Sequence, residues 1–162
     1  MKWSIAYLGS VYCDSIGIPM QKKVPAPPGT VVKRSSTGLG LFATRPYKKG
    51  ERVIEYVGRT LSEKEATTSN SLYLFQISKG RTIDGKPAVN PAGYINHSCR
   101  PNCEVYIYGG RVFIRTSRKI KLGTEFSYDY GEEYFIEHIK PYGCQCPATK
   151  HLYDKEVKKR RR

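Results

Sequence analysis

No apolar run in these 162 residues is long enough to cross a membrane. Met1 to Val11 holds one lysine and a short apolar stretch, but no convincing small-residue cleavage site follows it, so no secretory leader is expected. Acidic residues are scarce: 14 Asp and Glu stand against 28 Lys and Arg, a net charge of +14. Such a balance places a polyanion such as nucleic acid or chromatin near the protein. No long amphipathic helix and no βαβ alternation can be traced, which excludes a doubly wound dinucleotide-binding fold. Phenylalanine is scarce too, at five against 13 tyrosines, so tyrosine stands where phenylalanine would fill space equally well. The five cysteines are odd in number, and Cys144 and Cys146 are too close to bond to each other comfortably. A metal site is therefore expected before a disulfide framework.

What is present reads as a mainly β domain. Pro25, Pro27, Pro28 and Gly29 separate a leading arm, residues 1–29, from the rest. Arg52 to Val57 and Leu72 to Ile77 have strand character. Ser62 and Glu65 fit a capping box that starts a short helix. Glu104 to Tyr108 and Arg111 to Thr116 flank Gly109-Gly110, a hairpin signal. Thr124 to Tyr130 reads as a further strand, with Phe126, Tyr128 and Tyr130 on one face. Two phenols on that face put hydroxyls that need partners into an aromatic wall. Residues 154–162 form a basic tail with Lys155, Lys158, Lys159, Arg160, Arg161 and Arg162.

Three segments are dense in chemistry. Gly38-Leu39-Gly40-Leu41-Phe42-Ala43 lets backbone approach a ligand closely, or is a simple turn. Asn96-His97-Ser98-Cys99-Arg100-Pro101-Asn102 collects polar groups after an apolar pair; it reads as a nucleophilic Cys-His pair, which lacks an orienting partner, or as a capped loop. Cys144-x-Cys146 with His151 offers three zinc donors, and Cys99 could add a fourth.

In order along the chain stand Gly38-Leu39-Gly40-Leu41-Phe42-Ala43, Glu55-Tyr56-Val57-Gly58, Tyr73-Leu74-Phe75, Ile83-Asp84, Ile95-Asn96-His97-Ser98-Cys99-x-Pro101-Asn102, Tyr128-Asp129-Tyr130-Gly131 and Cys144-x-Cys146. Each is weak alone, but the ordered set closely resembles the SET domain of protein lysine methyltransferases with a post-SET cysteine module. The resemblance implies small curved antiparallel sheets, one or two short helices, and a C-terminal pseudoknot in which the Asn96-His97 segment threads beneath a loop. It implies a SET domain over residues 30–138 and a zinc module over 139–153. S-adenosylmethionine would be held by Gly38, Leu39, Gly40, Tyr73, Asn96 and His97. Tyr56, Tyr73, Phe75 and Tyr128 would line a lysine channel, and Tyr130 would be the catalytic tyrosine. Cys99, Cys144 and Cys146 match three structural zinc ligands, and His151 stands in the register where the family usually has a fourth cysteine.

Two further departures exist. Gly93 stands where the family often has an arginine, removing one polar contact to the cofactor, and no cysteine-rich module precedes the domain. The implied activity is methyl transfer to a lysine of a protein, a histone above all, in a nucleus or on chromatin. A microbial source would place it in the cytoplasm or in a host. Tyrosine at Tyr128 resembles members that stop at one or two methyl groups. The acidic run Glu125, Asp129, Glu132, Glu133 and Glu137 is expected to attract the basic substrate, and the tail to contact nucleic acid or chromatin. The competing reading is an inactive, zinc-stabilised SET-like module that holds basic peptides or nucleic acid.

Overall fold

The computed structural model describes residues 25–86 and 89–153. Most of the expected arm, all of the basic tail, and Cys13 lie outside the described residues. Strand β1 (Thr30–Ser35) and β2 (Gly38–Ala43) form an antiparallel hairpin, paired from Thr30 with Ala43 to Ser35 with Gly38. The glycine-rich segment is thus a strand, not a turn. Only its first residue, Gly38 at φ +116°, takes a backbone conformation that a side chain would strain.

Strands β3 (Arg52–Tyr56) and β4 (Arg59–Leu61) lead into helix α1 (Glu63–Thr67). The capping box is formed: Ser62 Oγ accepts from Glu65 N, and the Glu65 carboxylate accepts from Ser62 N. Strands β5 (Leu74–Ser78) and β6 (Arg81–Asp84) complete a sheet of order β4-β6-β5. A 3₁₀ turn at Pro91–Tyr94 precedes the two-residue strand β7 (Asn96–His97). Strands β8 (Cys103–Tyr108) and β9 (Arg111–Thr116) pair through the Gly109-Gly110 turn, both glycines at positive φ as a primed hairpin turn requires. With β3 they form the sheet β3-β9-β8. Strand β10 (Ser127–Tyr128), helix α2 (Glu132–Tyr134) and a π-helical turn at Phe135–Ile139 follow. The core gathers Leu41, Ile95, Val112, Ile114, Phe126 and Phe135, all essentially excluded from solvent.

The chain forms small antiparallel sheets with few short helices, as expected; among the described residues only the two-residue pairing of β7 with β10 runs parallel, with Asn96 opposite Ser127 and His97 opposite Tyr128. One expectation needs correction. The strand expected over Thr124 to Tyr130 is broken in two. Its first half turns back on β2, where Phe126 N donates to Leu41 O at 2.9 Å. Its second half is β10. Asn102 makes the switch: its Nδ2 donates to Glu125 O at 2.8 Å and its Oδ1 accepts from Ser127 N at 2.9 Å. Phe126 consequently packs into the core, edge-on to Tyr47 at 5.2 Å, while Tyr128 and Tyr130 go to the site.

The β3-to-β4 connection leaves no room for a side chain. A Cβ on Gly58 would lie 2.1 Å from the Asp84 carbonyl oxygen and 2.8 Å from Gly85 Cα. Backbone on the β6 side cannot yield as a flexible side chain would. Gly58→Ala should lower unfolding free energy by about 1–3 kcal/mol. An unchanged urea midpoint would contradict this.

Candidate active site

A narrow cavity of about 70 Å³ is lined by Tyr56, Tyr73, Phe75, Tyr128 and Tyr130, all five of the aromatics expected from sequence. Tyr134, Leu72, Leu74 and Gly93 complete its wall. The rings pack tilted or edge-on: Tyr128 to Tyr130 at 4.8 Å, Tyr130 to Tyr134 at 5.0 Å, Tyr56 to Phe75 at 5.4 Å. Three hydroxyls are anchored on backbone carbonyls. Tyr130 donates to Ile95 O at 2.7 Å, Tyr56 to Tyr73 O at 2.9 Å and Tyr134 to Leu72 O at 3.2 Å. The Tyr128 hydroxyl makes no hydrogen bond among the described residues.

Burial, more than any neighbouring group, pushes the phenols of Tyr56, Tyr128 and Tyr130 well above their ordinary range. It pushes Tyr134 up to about 12. The wall is therefore a set of neutral hydroxyls and ring faces. An ammonium entering it would lose water and find no anion to replace that water, which favours the neutral amine.

Beside the cavity, Asn96 Nδ2 donates both to Leu39 O at 3.1 Å and to Glu125 Oε1 at 2.7 Å. Glu125 Oε2 accepts from Ser35 Oγ at 2.7 Å. A Cβ on Gly40 would lie 2.4 Å from Glu125 Oε1, so glycine here makes space for that carboxylate. Thr37 Oγ1, next to Gly38, is buried without a partner. Leu39, Gly40 and Asn96 are thus drawn together around Glu125, while Gly38 pairs with Ser35, whose hydroxyl reaches the same carboxylate. Tyr73 stands apart from this group, on the cavity wall.

His97 is the junction. Tyr130 N donates to its Nδ1 at 3.2 Å, which requires the proton of the neutral ring to sit on Nε2, 3.3 Å from Cys99 Sγ. Burial holds this imidazole below the ordinary histidine range and outweighs the Asp129 carboxylate at 3.7 Å.

The ligating atoms of Cys99, Cys144, Cys146 and His151 all lie within 4.8 Å of one another. Cys99 Sγ and Cys144 Sγ are 3.8 Å apart, and Cys146 Sγ and His151 Nδ1 are 3.7 Å apart. A zinc ion about 2.3 Å from each sulfur sets tetrahedral edges of about 3.8 Å, so the donors fit one. Tyr153, just past His151, donates to Asp129 Oδ2 at 2.7 Å and packs on Phe135 at 5.1 Å. It ties the cysteine loop to the tyrosine segment.

Sequence reasoning missed Tyr134 and Tyr153, which belong to no motif. It missed the buried Asn90, although Asn90-Pro91 is a turn signal. That side chain accepts from Ala92 N and Val57 N and donates to Gly85 O, holding the floor beneath Tyr56. The acidic run is not one surface. Glu125 faces the Asn96 side chain, and Asp129 serves Tyr153 and Gly131 N. Of the five, only Glu132, Glu133 and Glu137 are exposed.

Comparison with known proteins agrees with this geometry. Residues 38–131 match the SET domain family. The chain is 37% identical over 123 residues to histone-lysine N-methyltransferase trr of Drosophila melanogaster, covering 68% of this chain and 5% of that protein. It is 35% identical to human histone-lysine N-methyltransferase 2D, covering 68% and 2%, and 30% identical to Arabidopsis thaliana ASHH3, covering 74% and 36%. The chain thus spans only a small part of the length of the first two relatives. With the motifs in order, the tyrosine cavity formed and 94 consecutive positions matched, the chain belongs to the SET domain family.

Proposed function

We propose that the chain transfers a methyl group from S-adenosylmethionine to the ε-amine of a protein lysine, with a histone as substrate and one or two methyl groups as product. One observation carries this: five aromatics chosen by motif alone converge on one narrow cavity whose polar groups are neutral phenols. The relatives' names as histone-lysine N-methyltransferases support the substrate class and a chromatin location.

Bound S-adenosylmethionine would supply an electrophilic methyl group on sulfur. The Leu39 carbonyl, Asn96 and the Glu125 carboxylate form an acceptor-rich cradle suited to a cationic ligand, and Thr37 Oγ1 awaits a partner. The cavity strips water from the lysine and disfavours its charge, against an ordinary pKa of about 10.4. The ring faces tolerate a methylated ammonium. Tyr130, its proton committed to Ile95 O, keeps its oxygen lone pairs free and would orient the amine and the methyl group. It works as a neutral phenol. Cys99, Cys144, Cys146 and His151 would hold a structural zinc, with residues 139–153 as its module.

The test is methyl transfer from radiolabelled S-adenosylmethionine to core histones, read by mass spectrometry. Label on one histone as mono- or dimethyl-lysine is expected. Saturable cofactor binding with no label on any histone or lysine peptide would favour the inactive binding module. The free Tyr128 hydroxyl narrows the cavity, so Tyr128→Phe should shift the product toward trimethyl-lysine. Trimethyl product from the wild type would refute the product assignment.

A further inference from the structure

A second hollow, of about 410 Å³, shares no lining residue with the tyrosine cavity. Its walls are Ser98 to Arg100, Arg118, and the loop Pro147 to Lys150. Arg100, Arg118 and Lys150 are exposed, and none of them forms an ion pair among the described residues. No carboxylate lines the groove. Elsewhere on the surface Arg45, Arg59, Arg111 and Arg115 are each paired with a glutamate, while Lys33-Arg34 and Lys48-Lys49 are exposed neighbours without an ion pair among the described residues; what distinguishes Arg100, Arg118 and Lys150 is that all three line one groove.

The walls are fixed relative to each other. Ser117 N donates to Asn102 O at 2.9 Å, which ties the Arg118 loop to the Arg100 segment. The loop Pro147 to Lys150 is bracketed by Cys146 and His151, two members of the four-donor cluster.

We propose that this groove seats the phosphodiester backbone of nucleic acid, without sequence preference. An enclosed site for a small anion would need buried donors; three exposed cations spread along an open groove suit a ligand whose negative charge repeats. Lys150 is followed within twelve residues by six more cations, from Lys155 to Arg162, so the positive charge continues in the sequence beyond the groove. A lysine-rich substrate is repelled here, which separates this surface from the methyl-transfer site.

The test uses the full chain and a fluorescein-labelled 20-base-pair duplex, followed by anisotropy at several salt concentrations. Replacing Arg100, Arg118 and Lys150 together by alanine should weaken binding at least tenfold. It should also flatten the plot of log affinity against log salt by about 2–3, since each lost phosphate contact removes about 0.9. Replacing the exposed Lys49, Lys64 and Lys79 removes the same charge and should change affinity less than threefold. Both variants should keep wild-type activity on an isolated lysine peptide, which shows that they fold. Equal loss in the two triple variants would reduce the effect to net charge and overturn the groove. So would wild-type affinity in the groove variant with loss only on removal of residues 154–162, or displacement of the duplex by millimolar inorganic phosphate at constant ionic strength.

Discussion

Tyr130→Phe should lower kcat for methyl transfer to a lysine peptide by roughly 10²–10³-fold while leaving the affinity for S-adenosylmethionine within a few-fold of wild type. The variant keeps the ring, and with it the packing on Tyr128 at 4.8 Å and Tyr134 at 5.0 Å. It removes only the oxygen that sits 2.7 Å from the Ile95 carbonyl. That carbonyl immediately precedes Asn96, so the bond fixes the tyrosine tip against the segment proposed to hold the donor. The groups drawn around Glu125 do not involve the Tyr130 hydroxyl, which is why the effect should fall on kcat. Leaving a buried carbonyl unpaired costs about 1–3 kcal/mol, so some loss of thermal stability accompanies the change. Because burial keeps this phenol protonated, the wild-type rate should show no inflection from Tyr130 below its raised pKa. A Tyr130→Phe enzyme with kcat within threefold of wild type would remove Tyr130 from the chemistry.

Zinc removal should have the next largest effect. Cys146→Ser, or a strong chelator, is expected to lower metal content from one zinc per chain to near zero and to release the loop that ends in Tyr153. A tetrahedral site with three thiolates and one imidazole contributes folding free energy directly, on the order of 10 kcal/mol when the folding of a small module depends on it. Here the SET sheets have their own core, so the loss should be confined to the loop and its contacts with Asp129 and Phe135. Cofactor affinity should fall as well, because Cys99 lies three residues beyond Asn96 and touches His97, which in turn receives the Tyr130 N–H. His151→Cys should retain zinc and His151→Ala should lose it, since the imidazole donor already lies 3.7 Å from Cys146 Sγ. Purified chain without zinc that gains no thermal stability on zinc addition would refute the metal assignment.

The errors of the sequence reading share one cause. Alternation from Thr124 to Tyr130 looks like a single strand because period 2 marks an extended backbone without saying what that backbone pairs with. Asn102, distant in sequence, bonds on both sides of Phe126 and divides the segment between two sheets. Glu125 looks like part of an acidic surface until Gly40, whose missing side chain leaves space, brings it against Asn96. Tyr134 and Tyr153 carry no local pattern; they reach their places because a short helix and the loop carrying Cys144, Cys146 and His151 end there.

Much was legible before any fold was known. Side-chain chemistry and its order along the chain picked out the five aromatics that line one cavity, the four side chains whose donor atoms lie within 4.8 Å of one another, the capping box and the hairpin. These rest on local geometry or on motifs whose members stay together wherever the chain goes. Tertiary structure alone decided which hydroxyls are anchored and which are not, where the acidic groups point, and that β7 and β10 run parallel. It also gathered Arg100, Arg118 and Lys150 around one groove. Those are contacts between residues far apart in sequence, and a one-dimensional pattern carries no information about which distant groups compete for the same partner.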